Sequence, residues 1–131
     1  MIEHFDFIWW EDSWLLGWEM DDDALTLYVE LHLLRDHPLF QPFDRQECFG
    51  CYKTARLIVS GLQGVSGLSS DRHGLQWDNA LHEYRDVGDI DAIKVGPNGQ
   101  DLLMDISNIR AADDFRLSAT GRSVDLVFGP F

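Results

Sequence analysis

The two cysteines are the first residues in the chain that could do chemistry. Cys48 and Cys51 stand in "CFGC", and two thiolates at that spacing are half of a tetrahedral zinc site. His37, in the proline-containing stretch just before them, and a more distant histidine would have to complete it. Thiol–disulfide exchange is the other chemistry of such a pair, but it works from a helix N-terminus that lowers the thiol pKa. "YKTARLIVS", which follows here, has the pattern of a strand. Without a second pair of cysteines the motif reads as two ordinary loop thiols, and no metal or cofactor is expected.

Nucleophilic catalysis has no better footing. "SDRHG" (70–74) places a hydroxyl, an acid and a base in one loop, but a catalytic base must be oriented by a third group beside an oxyanion-binding element. Sequence neighbours in a loop rarely meet that geometry. Asp21-Asp22-Asp23 lacks the alternating oxygen ligands of a calcium loop, and no glycine-rich phosphate loop precedes a helix. The chain is expected not to be an enzyme.

Aromatic and acidic residues are the remaining signals. "FDFIWWEDSWLLGWEM" (5–20) holds four of the five tryptophans. Trp10, Trp14 and Trp18 share one parity and would face an aliphatic row, as in a packed sheet core. Trp9 must then point the other way. It and Tyr28 are candidate apolar anchors for a partner. Carboxylates cluster at Glu11-Asp12, Asp21 to Asp23, Asp86-Asp89-Asp91 and Asp113-Asp114. With 23 Asp and Glu against 10 Lys and Arg the net charge is −13, a field that repels nucleic acid and anionic lipid and speeds encounter with basic partners. Solvated charges that keep sheet edges apart are the plainer account of the same residues.

The elements that must position these residues are strands. In "ALTLYVELHLL" apolar Leu25, Leu27, Val29, Leu31 and Leu33 alternate with Thr26, Tyr28, Glu30 and His32, the period of a half-buried strand. "SWLLGWEM" precedes it across an aspartate turn, and "KTARLIVSG" follows a long surface connection (35–50), with Ala55, Leu57 and Val59 inward. The 62–74 stretch reads as loop, and "LQWDNALHEYRD" (75–86) as either a short helix or a strand. "DIDAIKV" and "DLLMDIS" flank Asn98-Gly99, a strong hairpin turn. "FRLSA" and "SVDLVFG" read as a second hairpin, with Phe115, Leu117 and Ala119 facing Val124, Leu126 and Phe128. The expected fold is all-β, with one short helix near 75–85 as an alternative to a strand there. It is an antiparallel meander of about seven strands forming a sandwich or open barrel.

At 131 residues, 45% of them apolar, the chain is expected to form a single domain, 1–131. No apolar run reaches the roughly 18 residues of a membrane span, and the start lacks a basic segment followed by an apolar one. A cytoplasmic location is the resulting expectation.

"EDSWLLGWEMDDDALTLYVELHLL" resembles the N-terminal hairpin of small bacterial all-β domains. The later "RLIVSGLQGVSGL" and the G-x-I-x-x-I strand from Gly88 to Ile93 are similar to their continuation. Some of those domains are grouped with immunity proteins of polymorphic toxin systems, and many have no assigned function. The segment carrying "CFGC" departs from their pattern. The resemblance implies a small binding protein and, with the acidity, an inhibitor of a basic toxin. The expected partner surface comprises Trp9, Glu11, Asp12, Asp21, Asp22, Asp23 and Tyr28. A small-molecule or carbohydrate-binding barrel lined by tryptophan is the second reading, and a purely structural domain the third. A strand with aromatics on both faces also allows a homodimer.

Overall fold

Alternation along one strand organises the whole sheet. In the computed structural model, which describes residues 2–108 and 113–131 (for Asp113, the backbone only), β1 (Ile8–Met20) and β2 (Ala24–Leu33) form an antiparallel hairpin. Asp21 closes it, because its Oδ1 accepts the N–H groups of Asp23 and Ala24, each at 2.8 Å. Aspartate favours turns because its short carboxylate can take the place of a backbone acceptor. Then come β3 (Cys51–Ser60), β4 (Gly64–Ser66), β5 (Arg72–His73), β6 (Trp77–Asp78) and β7 (Glu83–Tyr84). The chain finishes with β8 (Gly88–Val95), β9 (Asp101–Asn108), β10 (Asp113–Thr120) and β11 (Ser123–Phe128).

One sheet runs β11-β3-β2-β1-β8-β9-β10-β4, with β5 added beside β1, and β6–β7 is a separate small hairpin. The sheet has two edges, β11 and β4, so it is not a closed barrel. One half contributes the inward row of β2 with Ala55, Leu57, Val59 and Val124. The other contributes Ile90, Leu102, Met104, Ile106, Leu117 and Ala119. All belong to one buried cluster, so the sheet folds over a single core. Each fully buried leucine contributes roughly 1.5–3 kcal/mol relative to exposure.

The sheet corrects two expectations and decides between the alternatives of another. First, β10 and β11 are not a hairpin: β10 lies between β9 and β4, while β11 pairs with β3. Gly121 N–H donates to Gln100 O and Arg122 N–H to Ser60 O, so this short link crosses from one half of the sheet to the other. The inward positions are as expected, with Leu117, Ala119 and Val124 buried. Alternation specifies which face of a strand is buried and is silent about its neighbour. Second, of the short helix and the strand expected as alternatives at 75–85, the strand is found, as the two short strands β6 and β7. The 3-10 turn Phe5–Phe7 is the only helical segment among the described residues.

Third, β1 does not keep a single parity. Between Trp9, opposite His32, and Trp14, opposite Glu30, the strand bulges. A second irregularity falls between Leu15 and Gly17. Trp10 and Trp18 are therefore buried in the core, with Leu15 beside them. Trp14 instead lies half-buried on the outer face, its ring 5.0 Å from that of Tyr52.

Gly17 shows how closely the outer face is crossed. A Cβ there would come within 2.5 Å of the His73 carbonyl oxygen, because the backbone of 73–75 runs directly over it. Gly17→Ala is expected to destabilise the protein by about 1–3 kcal/mol, the usual range for overpacking against backbone. Urea unfolding of the variant beside the parent measures this, and an unchanged midpoint would show that the crossing is not tight.

Candidate functional site

Residues paired directly across strands share a face, so the register of β1, β2 and β3 defines the outer surface row by row. Trp9, His32 and Tyr52 form one row. Trp14, Glu30 and Thr54 form the next, and Gly17, Tyr28 and Arg56 the third. The broad bulge in β1 delivers Asp12 to the first row. Its Oδ2 accepts His32 Nδ1–H at 2.6 Å and the Tyr52 hydroxyl at 2.8 Å. Ser13 Oγ accepts the His32 backbone N–H at 3.0 Å and donates to Trp9 O at 2.8 Å, pinning the bulge to β2. The Trp9 and Tyr52 rings lie 5.2 and 4.7 Å from the His32 ring. Gly50 closes its far edge, since a Cβ there would come within 2.4 Å of His32 Nε2. Burial first, and then the bond to Asp12, push the Tyr52 phenol well above the ordinary tyrosine range, so it remains a donor. This network is a rigid base.

Apolar and acidic groups surround that base. Trp9 is 48% exposed and Phe49, next to Gly50, is 93% exposed. Exposed Phe7 and Leu34 lie at the same end, joined by the Leu34 N–H bond to Phe7 O. Glu11 is fully at the surface of the bulge. In the second row Glu30 is half-buried. Burial raises its carboxyl above the usual range, and the charges of Glu83 and Asp86 raise it further. Asp89 approaches Trp14 from β8, so Trp14 is flanked by acidic residues on both neighbouring strands.

The structure divides the expected partner residues. Trp9, Glu11 and Asp12 come together, but Asp12 is spent on His32 and Tyr52. Tyr28 is covered. The Phe131 ring lies 4.9 Å from it and the Arg56 guanidinium 5.7 Å from its centroid. Asp21, Asp22 and Asp23 sit at the opposite end of the hairpin, roughly 26 Å from His32 by the rise of β2. Asp21 is committed to its turn, whose two N–H bonds hold its carboxyl below the ordinary range. The Asp113 side chain lies outside the described residues, and Asp114 is exposed.

The thiols and His37 do not converge. Cys51 Sγ accepts Gln41 N–H at 3.4 Å, and the Cys48 thiol points to Asp44 O at 3.7 Å. His37 packs instead against the His4 and Phe128 rings. Among the described residues no group of three or more His, Cys, Asp or Glu side chains is gathered for a metal ion. In "SDRHG", His73 stacks on Trp18 at 5.0 Å, and the Ser70 hydroxyl donates to Arg72 O, so no nucleophile–base pair forms.

Glu30 and Phe49 were not singled out from sequence. Glu30 belongs to the outward parity of β2, but Glu83 and Asp86, whose charges act on it, lie more than fifty positions away in the sequence. Phe49 carried no signal beyond being a large apolar residue in a polar loop. Compared with protein families, curated proteins and solved structures, the chain has no match. Among the described residues no helix is long and apolar enough to cross a membrane.

Two titrations follow from the geometry. Because the folded state raises the Glu30 pKa, it binds a proton that the unfolded chain has already lost. Stability therefore falls as pH rises from 4.5 through the folded value, and stays reduced above it. Glu30→Gln is expected to stabilise the protein at pH 7, with a gain in Tm that shrinks towards pH 4. Equal Tm values at pH 7 would contradict this.

His37 has the opposite sign. Its Nδ1 accepts Leu39 N–H at 3.1 Å, and burial, with His4 next, lowers its pKa below 6.5. Below that pH the unfolded chain takes up a proton that the folded one resists, so stability declines as pH falls. His37→Gln should flatten the dependence between about pH 6.5 and 5. Denaturant midpoints across that range test it, and an unchanged slope refutes it.

Proposed function

We propose that the outer face of β1, β2 and β3 docks a basic protein partner, and that the chain acts as a binding protein rather than an enzyme. The observation that carries this reading is the position of Trp9 and Phe49. Both are large and exposed, and they flank the hydrogen-bonded Asp12–His32–Tyr52 group, in which His32 is buried, beside Glu11. Interface hot spots combine aromatic anchors on a preorganised surface with a polar rim. Here the adjoining rim is acidic, through Glu11, Glu30, Glu83 and Asp86, and the net charge of −13 draws cationic partners to it. His32 supports the non-enzymatic side of the reading: Asp12 engages one ring nitrogen and the Gly50 backbone covers the other. A cytoplasmic inhibitor of a basic toxin, of the immunity-protein kind, fits this description.

The test compares the tagged parent with Trp9→Ser/Phe49→Ser, whose side chains are exposed and whose folding is checked by thermal unfolding. Both are used to capture proteins from a lysate of the source organism at about 0.05 and about 0.5 M salt, concentrations chosen to vary screening. The expected result is a basic protein retained by the parent at low salt and depleted about tenfold by the variant, the equivalent of roughly 1.4 kcal/mol. Equal retention of every captured protein by both forms would overturn the proposal.

A further inference from the structure

Of the two open edges of the main sheet, β4 is three residues long and β11 six. The backbone bonds show which groups of β11 are open. Gly129 N–H, the next in line, donates to Thr54 O of β3, so by alternation Val127 and Asp125 also bond β3. Val124, Leu126 and Phe128 therefore turn their N–H and C=O groups away from β3. Val124 N–H is taken by Gly99 O at 2.8 Å, whereas Leu126 and Phe128 face no strand among the described residues. A groove of about 420 Å3 lies beside them, lined by Asp125, Leu126 and Phe128 of β11 and by Glu3, His37 and Leu39. That volume is within the range of ligand sites, roughly 300–1,000 Å3. His37 is only 5% exposed. Its Nδ1 accepts Leu39 N–H, so the neutral ring carries its proton on Nε2. Nε2 has no hydrogen-bond partner among the described residues. Buried donors are nearly always paired, so this one marks a missing acceptor. Glu3 and Asp125, for their part, form no ion pair among the described residues.

We propose that an extended, basic peptide segment of a partner protein adds to β11 as a further antiparallel strand. The outward N–H and C=O of Leu126 pair with the segment residue opposite, and Phe128 extends the ladder. A carbonyl of the segment accepts His37 Nε2–H, and its Lys or Arg side chains meet Asp125 and Glu3. Strand addition draws affinity from main-chain bonds and specificity from alternate side chains. Opposite charges directly across a strand pair reinforce it, and like charges oppose it. A second copy of this chain would bring another Asp125 and a further charge of −13, so the edge suits a basic segment rather than a dimer. This inference does not rest on the docking face proposed above.

The experiment is calorimetric titration of the full chain with the end-capped peptide Val-Arg-Val-Lys-Val. One control peptide is N-methylated at its three valines, which removes the ladder donors and keeps the charge. Another carries glutamine in place of arginine and lysine. The parent peptide is expected to bind, and each control to bind at least about tenfold more weakly. Three variants should weaken binding of the parent peptide by a similar factor. Glu3→Gln/Asp125→Asn alters two exposed carboxylates. His37→Phe keeps a ring against Phe128 and removes the donor. Leu126→Pro removes only an outward N–H, a change that edge strands tolerate. Thermal unfolding verifies that each variant is folded, and the N-methylated peptide tests the ladder without any change to the protein. No binding of the parent peptide, or an affinity indifferent to N-methylation, overturns the inference. An affinity indifferent to Glu3→Gln/Asp125→Asn places the peptide elsewhere on the acidic surface and overturns it too. Self-association of the chain in sedimentation, lost in Leu126→Pro, would assign the edge to a second copy instead. The peptides do not probe Trp9 or Phe49, so failure here is distinct from failure of the docking face.

Discussion

The fold depends on β1 serving several partners with one backbone. It pairs with β2 from Ile8 to Met20, receives β8 at Trp14 and Leu15, and receives β5 at Trp18 and Glu19. A strand with strict alternation presents one face to one core. The bulges in β1 break that alternation twice, and this re-aims its side chains. Trp10 and Trp18 can then enter the core while Trp14 lies outside, and Asp12 is carried over to His32 and Tyr52. The halves of the sheet meet through this strand, and the candidate site is built on its irregular part. A straighter β1 would have neither the same core nor the same surface.

That irregularity also marks how far the sequence could be read. The inward row from Leu25 to Leu33 and the row Ala55, Leu57 and Val59 are buried as their alternation predicts. Gly99, with φ of 67° and its N–H bonded to Gly96 O, forms the turn announced by Asn98-Gly99. In each case a local pattern determines a local outcome. The pairing of β11 with β3 has no local cause, because it depends on which half of the sheet reaches the free edge of β3. Trp14 was misplaced for a related reason. A bulge changes parity without leaving a distinctive residue type, and tryptophan suits either face. At the site, Trp9 was legible because it neighbours Trp10. The role of Asp12 was not, since it bonds residues 20 and 40 positions away.

The acidic character of the chain divides into parts with different physics. Asp21 accepts turn amides, and Asp105 holds Arg116 at 2.6 Å, so these carboxylates have local structural partners. They explain part of the charge without any binding partner. Such exposed contacts contribute little individually and are weakened by salt. Glu30 differs because its surroundings work against its charge. Burial and two neighbouring carboxylates all raise its pKa, and among the described residues no Lys or Arg forms an ion pair with it.

A residue in that position reduces stability in the isolated protein, whereas glutamine would fill the same space without the like-charge repulsion. Random placement of surface charge explains Asp22 or Asp114, but it explains poorly a half-buried glutamate on the central strand of the outer face. A cation arriving from outside would reverse the sign of the local energy, because the desolvation and repulsion already present in the free state are offset when the charges are neutralised. The gain on binding is correspondingly larger than for a carboxylate that is comfortable when free. The hairpin β6–β7 belongs to the same logic. It carries Glu83 towards Glu30 while Tyr84 anchors it on Phe131, so the chain spends packing energy to hold like charges together.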